Sequence, residues 1–275
     1  VIDAHVHVWD LSRRETLIAT RQFPVLAGRA FLPADLERML NRTGASAAVL
    51  VHGPATAAHT DFCLALSGQH PFILAVVGWI DVRGADPVGE LTDRQRTPTF
   101  RGIRLTPLLD DDPEGYLSCA GALALAQGLS KGAGVLEVLA TPELLPAVGR
   151  LCDAAPDTDV VIAHFGLPDP ARPFVPWAGV MAELAGRARV HVKLAGPPLT
   201  SRGSGADRVI VRPYLQHLLE HFGAGRLLYA SNWPVMTALT TPRLWHHDLE
   251  RLLDGLTREQ RRAVFGDNAR RLYEA

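Results

Sequence analysis

Eight short apolar runs recur along the chain, each followed by a longer stretch with helical spacing or turn residues. They are Ile2–Val8, Ala47–His52, Phe72–Val82, Phe100–Leu105, Gly134–Leu139, Asp159–His164, Arg189–Leu194 and Arg226–Ser231. Most are continuous rather than alternating, as expected of parallel strands covered on the outside. Between them, the segment from Pro33 begins with a first-turn proline and runs to near Gly44. Thr141-Pro142-Glu143 reads as an N-cap followed by proline and an acid. Asp207 to Phe222 has helical apolar spacing and stops at Gly223. Thr241-Pro242 opens another helix, and Thr257 to Tyr273 forms a last one. Eight strands with intervening helices predict an α/β fold, a single (β/α)8 TIM-type barrel over residues 1–275. No internal repeat, low-complexity tract or linker argues for a second domain.

Composition narrows the function classes. A chain of 275 residues, 47% hydrophobic, buries a large core. Its formal net charge of -1 gives no general attraction to nucleic acid or to an anionic membrane. The longest apolar run, Phe72 to Ile80, is interrupted at Gly78 and falls far short of the roughly 20 residues of a membrane helix. Cys63, Cys119 and Cys152 are odd in number and widely spaced, which reads as buried thiols in a reducing, cytoplasmic setting. The expected partner is a small-molecule substrate. A homo-oligomer stays open.

In barrels of this type, reacting groups come from strand C-termini and the loops after them. That rule collects His5 and His7 on the first strand, His52 ending the second, Asp81 near the end of the third and Arg104 near the end of the fourth. It adds Glu137 in the fifth, His164 ending the sixth, Lys193 near the end of the seventh and Asn232 after the eighth. The loops Asp10–Leu32, Thr106–Gly115 and Ala195–Ala206 are expected to cover the site. His5 and His7 are two residues apart, so both rings share one face of a strand. Burying two imidazoles is costly unless something uses them. The plainer alternative is a pair of satisfied core histidines.

The stretches Ile2-Asp-Ala-His-Val-His-Val-Trp-Asp10, Val77-Gly-Trp-Ile-Asp-Val82, Phe100-Arg-Gly-Ile-Arg104 and Val161-Ile-Ala-His-Phe-Gly-Leu-Pro168 carry a family resemblance. It continues through Val192-Lys-Leu-Ala-Gly196, Leu228-Tyr-Ala-Ser-Asn-Trp-Pro-Val235 and Asn268-Ala-Arg-Arg-Leu-Tyr273. The chain resembles the amidohydrolase superfamily, and within it the amidohydrolase-related branch of 2-pyrone-4,6-dicarboxylate, L-fucono- and L-rhamnono-lactonases. The resemblance implies a hydrolase that opens a small lactone or related cyclic ester by water attack. His5, His7 and His164 would polarise the carbonyl, either by holding one divalent metal, zinc first, or with no cofactor by hydrogen bonding. Arg104 would clamp a carboxylate or ring oxygen, although a structural ion pair is its alternative. His52, Lys193 and Trp233 are further substrate-binding candidates. Lys193 could equally pair with Glu137, His52 could be a buried hydrogen-bonded histidine, and Trp9 and Trp233 could be core. Asp110-Asp-Asp112 reads as a solvated loop and His246-His247 as surface.

Four positions depart from the family. Where it carries aspartate in a Ser-Asp-Trp-Pro setting, as the group that serves the attacking water, this chain has Asn232. An amide orients a water but cannot take its proton. Where the family has an aspartate before the sixth-strand histidine, this chain has Ala163. Asn232 is either an engineered isostere that traps intact substrate or a natural residue in chemistry that does not need the carboxylate. Ala195 and Ala230 also depart from the usual pattern. The alternative functions are a metal-dependent decarboxylase or lyase of the same superfamily, and a catalytically silent binding protein.

Overall fold

The computed structural model describes residues 1–16, 26–132, 134–196 and 208–274. Its centre is one eight-stranded sheet whose neighbours follow chain order. The strands are β1 (Ile2–Val6), β2 (Ala47–Val51), β3 (Ile73–Gly78), β4 (Phe100–Leu105), β5 (Val135–Val138), β6 (Asp159–Ile162), β7 (Val190–Ala195) and β8 (Leu227–Ala230). All seven neighbour pairings from β1 to β8 are parallel. Val6 bridges to Trp233 in the parallel sense, and this closes the sheet into the (β/α)8 barrel that the alternating pattern predicts.

Local chemistry sets the boundaries. The first barrel helix, α1 (Pro33–Thr43), has proline in its first turn and ends at Gly44 with φ 71°. Glycine reaches that left-handed conformation without the Cβ penalty. The helix α2 (Ala57–Ser67) follows β2. The third strand is shorter than its apolar run predicts, because Thr60 on α2 intervenes. The Thr60 hydroxyl accepts from Trp79 N at 2.9 Å, taking the ladder's next donor. A Cβ on Gly78 would lie 2.4 Å from Thr60 Cγ2, so the glycine admits this close approach.

The remaining outer helices include α3 (Pro87–Arg94), α4 (Pro113–Ser118), α5 (Ala120–Lys131), α6 (Leu145–Ala154), α7 (Phe174–Ala185), α8 (Arg208–Phe222) and α9 (Pro242–Leu252). Asp112, expected in a solvated loop, caps α4 by accepting from Gly115 N at 3.0 Å, and Asp110 pairs with Arg83 at 2.9 Å. Thr141 does not cap a helix directly. Its carbonyl accepts from Leu144 and Leu145 N, closing a turn that precedes α6 by three residues. The last helix expected from Thr257 to Tyr273 runs unbroken from its Thr257 N-cap, with a π turn over Ala263–Asp267 between α10 (Arg258–Arg262) and α11 (Asn268–Tyr273). His246 is half-buried, its ring 5.1 Å from Tyr229 and 5.0 Å from Phe265, while His247 is exposed as expected. Asp207 and much of the predicted loops Asp10–Leu32 and Ala195–Ala206 lie outside the described residues.

Candidate active site

His5 and His7 both face into the barrel, as their spacing requires, and both are buried. Their Nε2 atoms stand 3.2 Å apart. His7 Nδ1 lies 2.8 Å from Val51 O. A carbonyl only accepts, so Nδ1 carries the hydrogen and the Nε2 lone pair faces His5. His164 arrives from the opposite wall, its ring centroid 4.8 Å from that of His5. It does not end β6 as an extended residue. It has φ 51° and starts a tight turn, followed by Phe165 at φ 58° and Leu167 at φ 46°. Three non-glycine residues in the left-handed region store local strain of the kind that accompanies functional sites. His164 Nδ1 donates to Ala195 O at 3.1 Å, so its Nε2 is also a free lone pair. This backbone carbonyl orients the ring in the absence of a carboxylate at Ala163.

Arg104 rises from β4 beneath these rings. Its Nη2 donates to His52 O at 2.6 Å, its Nε to His52 Nε2 at 3.4 Å, and its Nη1 stands 3.4 Å from His5 Nε2. No described carboxylate lies within 4 Å of the guanidinium, so the structural ion pair weighed as an alternative is absent. Burial lowers its pKa to about 10, which leaves it charged at neutral pH. His52 is fully buried, with Nδ1 3.1 Å from Pro54 O. Its carbonyl and ring hold Arg104 in place.

Lys193 is also fully buried, and its ammonium pairs with Glu137 Oε1. Tyr273 donates to the same oxygen at 2.6 Å. Of the two readings of Lys193, the geometry therefore has the ion pair, not a free substrate contact. Glu137 Oε2 lies 3.9 Å from His5 Nδ1, so the pair sits against the underside of the histidine cluster.

Asn232 follows β8 with φ 61°, and its N donates to His5 O at 2.9 Å. Asparagine and aspartate are the non-glycine residues that best tolerate this conformation. The position is fixed from below by Asp3, which sequence reasoning passed over. Asp3 Oδ1 accepts from Ser231 N at 2.8 Å and from His5 N at 3.2 Å, stapling β1 to β8. A carboxylate two residues before His5 on the same face of an apolar strand was its signal. Burial raises its pKa to about 6, opposed by its hydrogen bonds to Ser231. Trp233 is buried against Phe31, with ring centroids 5.5 Å apart, and the two line one cavity.

The electrostatics share one sign. Burial is the largest cause lowering the pKa of His5, His7 and His52 well below 6.5, and that of His164 to about 4. The cationic neighbours Arg104 and Lys193 add to the effect at His5 and His164. At neutral pH the site is a cluster of neutral imidazoles around one fixed guanidinium charge.

The amidohydrolase family model matches residues 2–275. The chain belongs to the amidohydrolase family. This amidohydrolase is 35% identical over 239 residues to the L-fucono-1,5-lactonase of Burkholderia ambifaria, a match covering 85% of this chain and 80% of the relative. It is 28% identical to the L-fucono-1,5-lactonase of Burkholderia multivorans, covering 99% and 95%. Among solved structures, a Burkholderia multivorans amidohydrolase with bound zinc is similar at TM-score 0.87 and 26% identity, covering 99% of this chain and 98% of that one. The chain is a hydrolase of this family.

The donors here do not fit a resident zinc. A catalytic zinc takes three protein ligands. His5 and His7 offer two converging nitrogens. His164 does not complete a set with them: among the described residues, the triplet whose ligand atoms lie within 4.8 Å of one another is His217, Glu220 and His221, elsewhere on the surface. Asn232 brings no negative charge. Arg104 Nη1, 3.4 Å from His5 Nε2, puts a cation beside the paired histidines.

Proposed function

We propose that this barrel mouth opens a small lactone, a sugar-acid lactone first, by attack of water without a resident metal. The observation that carries the reading is a buried guanidinium with no carboxylate within 4 Å among the described residues, set among neutral imidazoles. Such a charge is expensive to keep unless it is used. It suits a carbonyl oxygen that becomes an oxyanion when water adds. The kinship with two L-fucono-1,5-lactonases supports a hydroxylated cyclic ester as the substrate class.

The steps follow from the donors and acceptors. Arg104, with His5 beside it, hydrogen-bonds the carbonyl oxygen and stabilises the negative charge that forms there. Asn232 Oδ1 and the His164 Nε2 lone pair accept from the water and aim its oxygen at the carbonyl carbon. As the new C–O bond forms, His164 takes the water proton. The tetrahedral intermediate then expels the ring oxygen, and that proton passes to it. The product is an open hydroxy acid. Burial lowers the pKa of His164 to about 4, which makes it a weak base for this step. A lyase reading needs a metal to chelate a substrate carboxylate, and the donor set argues against one.

Arg104→Lys tests the reading. It keeps the charge but removes the planar fork that His52 holds. The expected result is a fall of about 10²-fold in kcat/KM on L-fucono-1,5-lactone, with the far-ultraviolet circular dichroism unchanged. An unaltered kcat/KM in a folded Arg104→Lys protein sinks the assignment.

A further inference from the structure

Helix α8 carries His217-Leu-Leu-Glu220-His221 one turn from its C-terminal end. Positions i, i+3 and i+4 share a helix face. Each of the three side chains offers a ligand atom, and these atoms lie within 4.8 Å of one another. The two imidazole centroids are 4.3 Å apart. We infer that His217, Glu220 and His221 form a second, surface site for a divalent transition-metal ion, zinc in the first instance, separate from the barrel mouth.

Two features support the site. The ring of His217 is preorganised. It packs against Trp177 and Phe174 on α7, with centroids at 5.3 and 5.7 Å, and its Nε2 donates to Ala178 O at 2.8 Å. A backbone carbonyl on one ring nitrogen is the usual partner of a metal-binding histidine, and it leaves Nδ1 as a lone pair. The last turn of a helix favours positive charge.

The donor set is two borderline nitrogens and one carboxylate. It matches zinc, with water in the fourth position, better than calcium or magnesium, which take oxygen ligands. The same H-x-x-E-H order on a helix carries the zinc histidines of one class of zinc hydrolases. Here Glu220 and His221 are exposed, so the inference concerns binding and not a second hydrolytic centre.

Calorimetric titration of the purified, chelator-stripped chain with zinc chloride tests this directly. The native chain is expected to take up about one equivalent, and His221→Ala and Glu220→Gln to bind at least tenfold more weakly. Both altered residues are exposed and outside the barrel mouth, so lactone turnover should not change. Magnesium should give no signal. No zinc uptake by the native chain overturns the site. So does uptake that His221→Ala leaves intact, or that is lost only in His7→Asn, which would put the ion in the barrel.

Discussion

Asn232→Asp is expected to raise kcat/KM for lactone hydrolysis by about 10² or more. A positioned general base contributes roughly 10²–10⁴ in rate, and the neutral His164 is a poor substitute for one. The fold should accept the change. Position 232 has φ 61°, which aspartate tolerates as asparagine does, and its hydrogen bond to His5 O uses only the backbone. The new carboxylate would face a site that holds the charged Arg104 guanidinium, and this favours its ionised, basic form. The comparison is proton release from the two proteins under identical conditions. Equal rates would mean that position 232 does not handle the water proton. Ligand affinity with no turnover in either form would make the chain a binding protein.

Lys193→Met is expected to cost about 3–5 kcal/mol of stability, because it leaves the buried Glu137 carboxylate without its cation. For a chain of this size that lowers the melting temperature by roughly 10 °C. Tyr273 still donates to Glu137 but brings no charge. The double variant Lys193→Met/Glu137→Leu should recover most of the loss, since replacing a whole buried pair by apolar groups is often neutral. Thermal melts of the three proteins decide it. If Lys193→Met melts with the native chain and instead raises KM, then Lys193 contacts substrate and the ion pair is incidental.

The barrel was legible because continuous apolar runs, first-turn prolines and terminal glycines agree with one another along the chain. The rule that reacting groups lie at strand C-termini likewise brought His5, His7, His164, Arg104 and Asn232 to one mouth. What stayed hidden depends on contacts far apart in sequence. The Lys193–Glu137–Tyr273 link joins β7, β5 and α11, and no spacing distinguishes it from a substrate contact. His52 reads as a strand-end histidine, yet it acts through Arg104, which lies 52 positions away. The left-handed turn at His164 left no trace in its apolar strand pattern. It supplies through the Ala195 carbonyl the orientation that Ala163 cannot. That a guanidinium stands beside the paired histidines is likewise visible only in the fold.

The most direct test of a metal-free lactonase is the pH profile of kcat/KM for the chelator-treated native chain on L-fucono-1,5-lactone. That profile reports the free enzyme's groups. His164 must be neutral to accept the water proton, and burial lowers its pKa from 6.5 to about 4. Turnover above the buffer blank should therefore persist without metal, hold as the pH falls from 7 to near 5, and drop through about 4. No turnover until zinc is restored, or an acid limb near 6.5, would contradict the account.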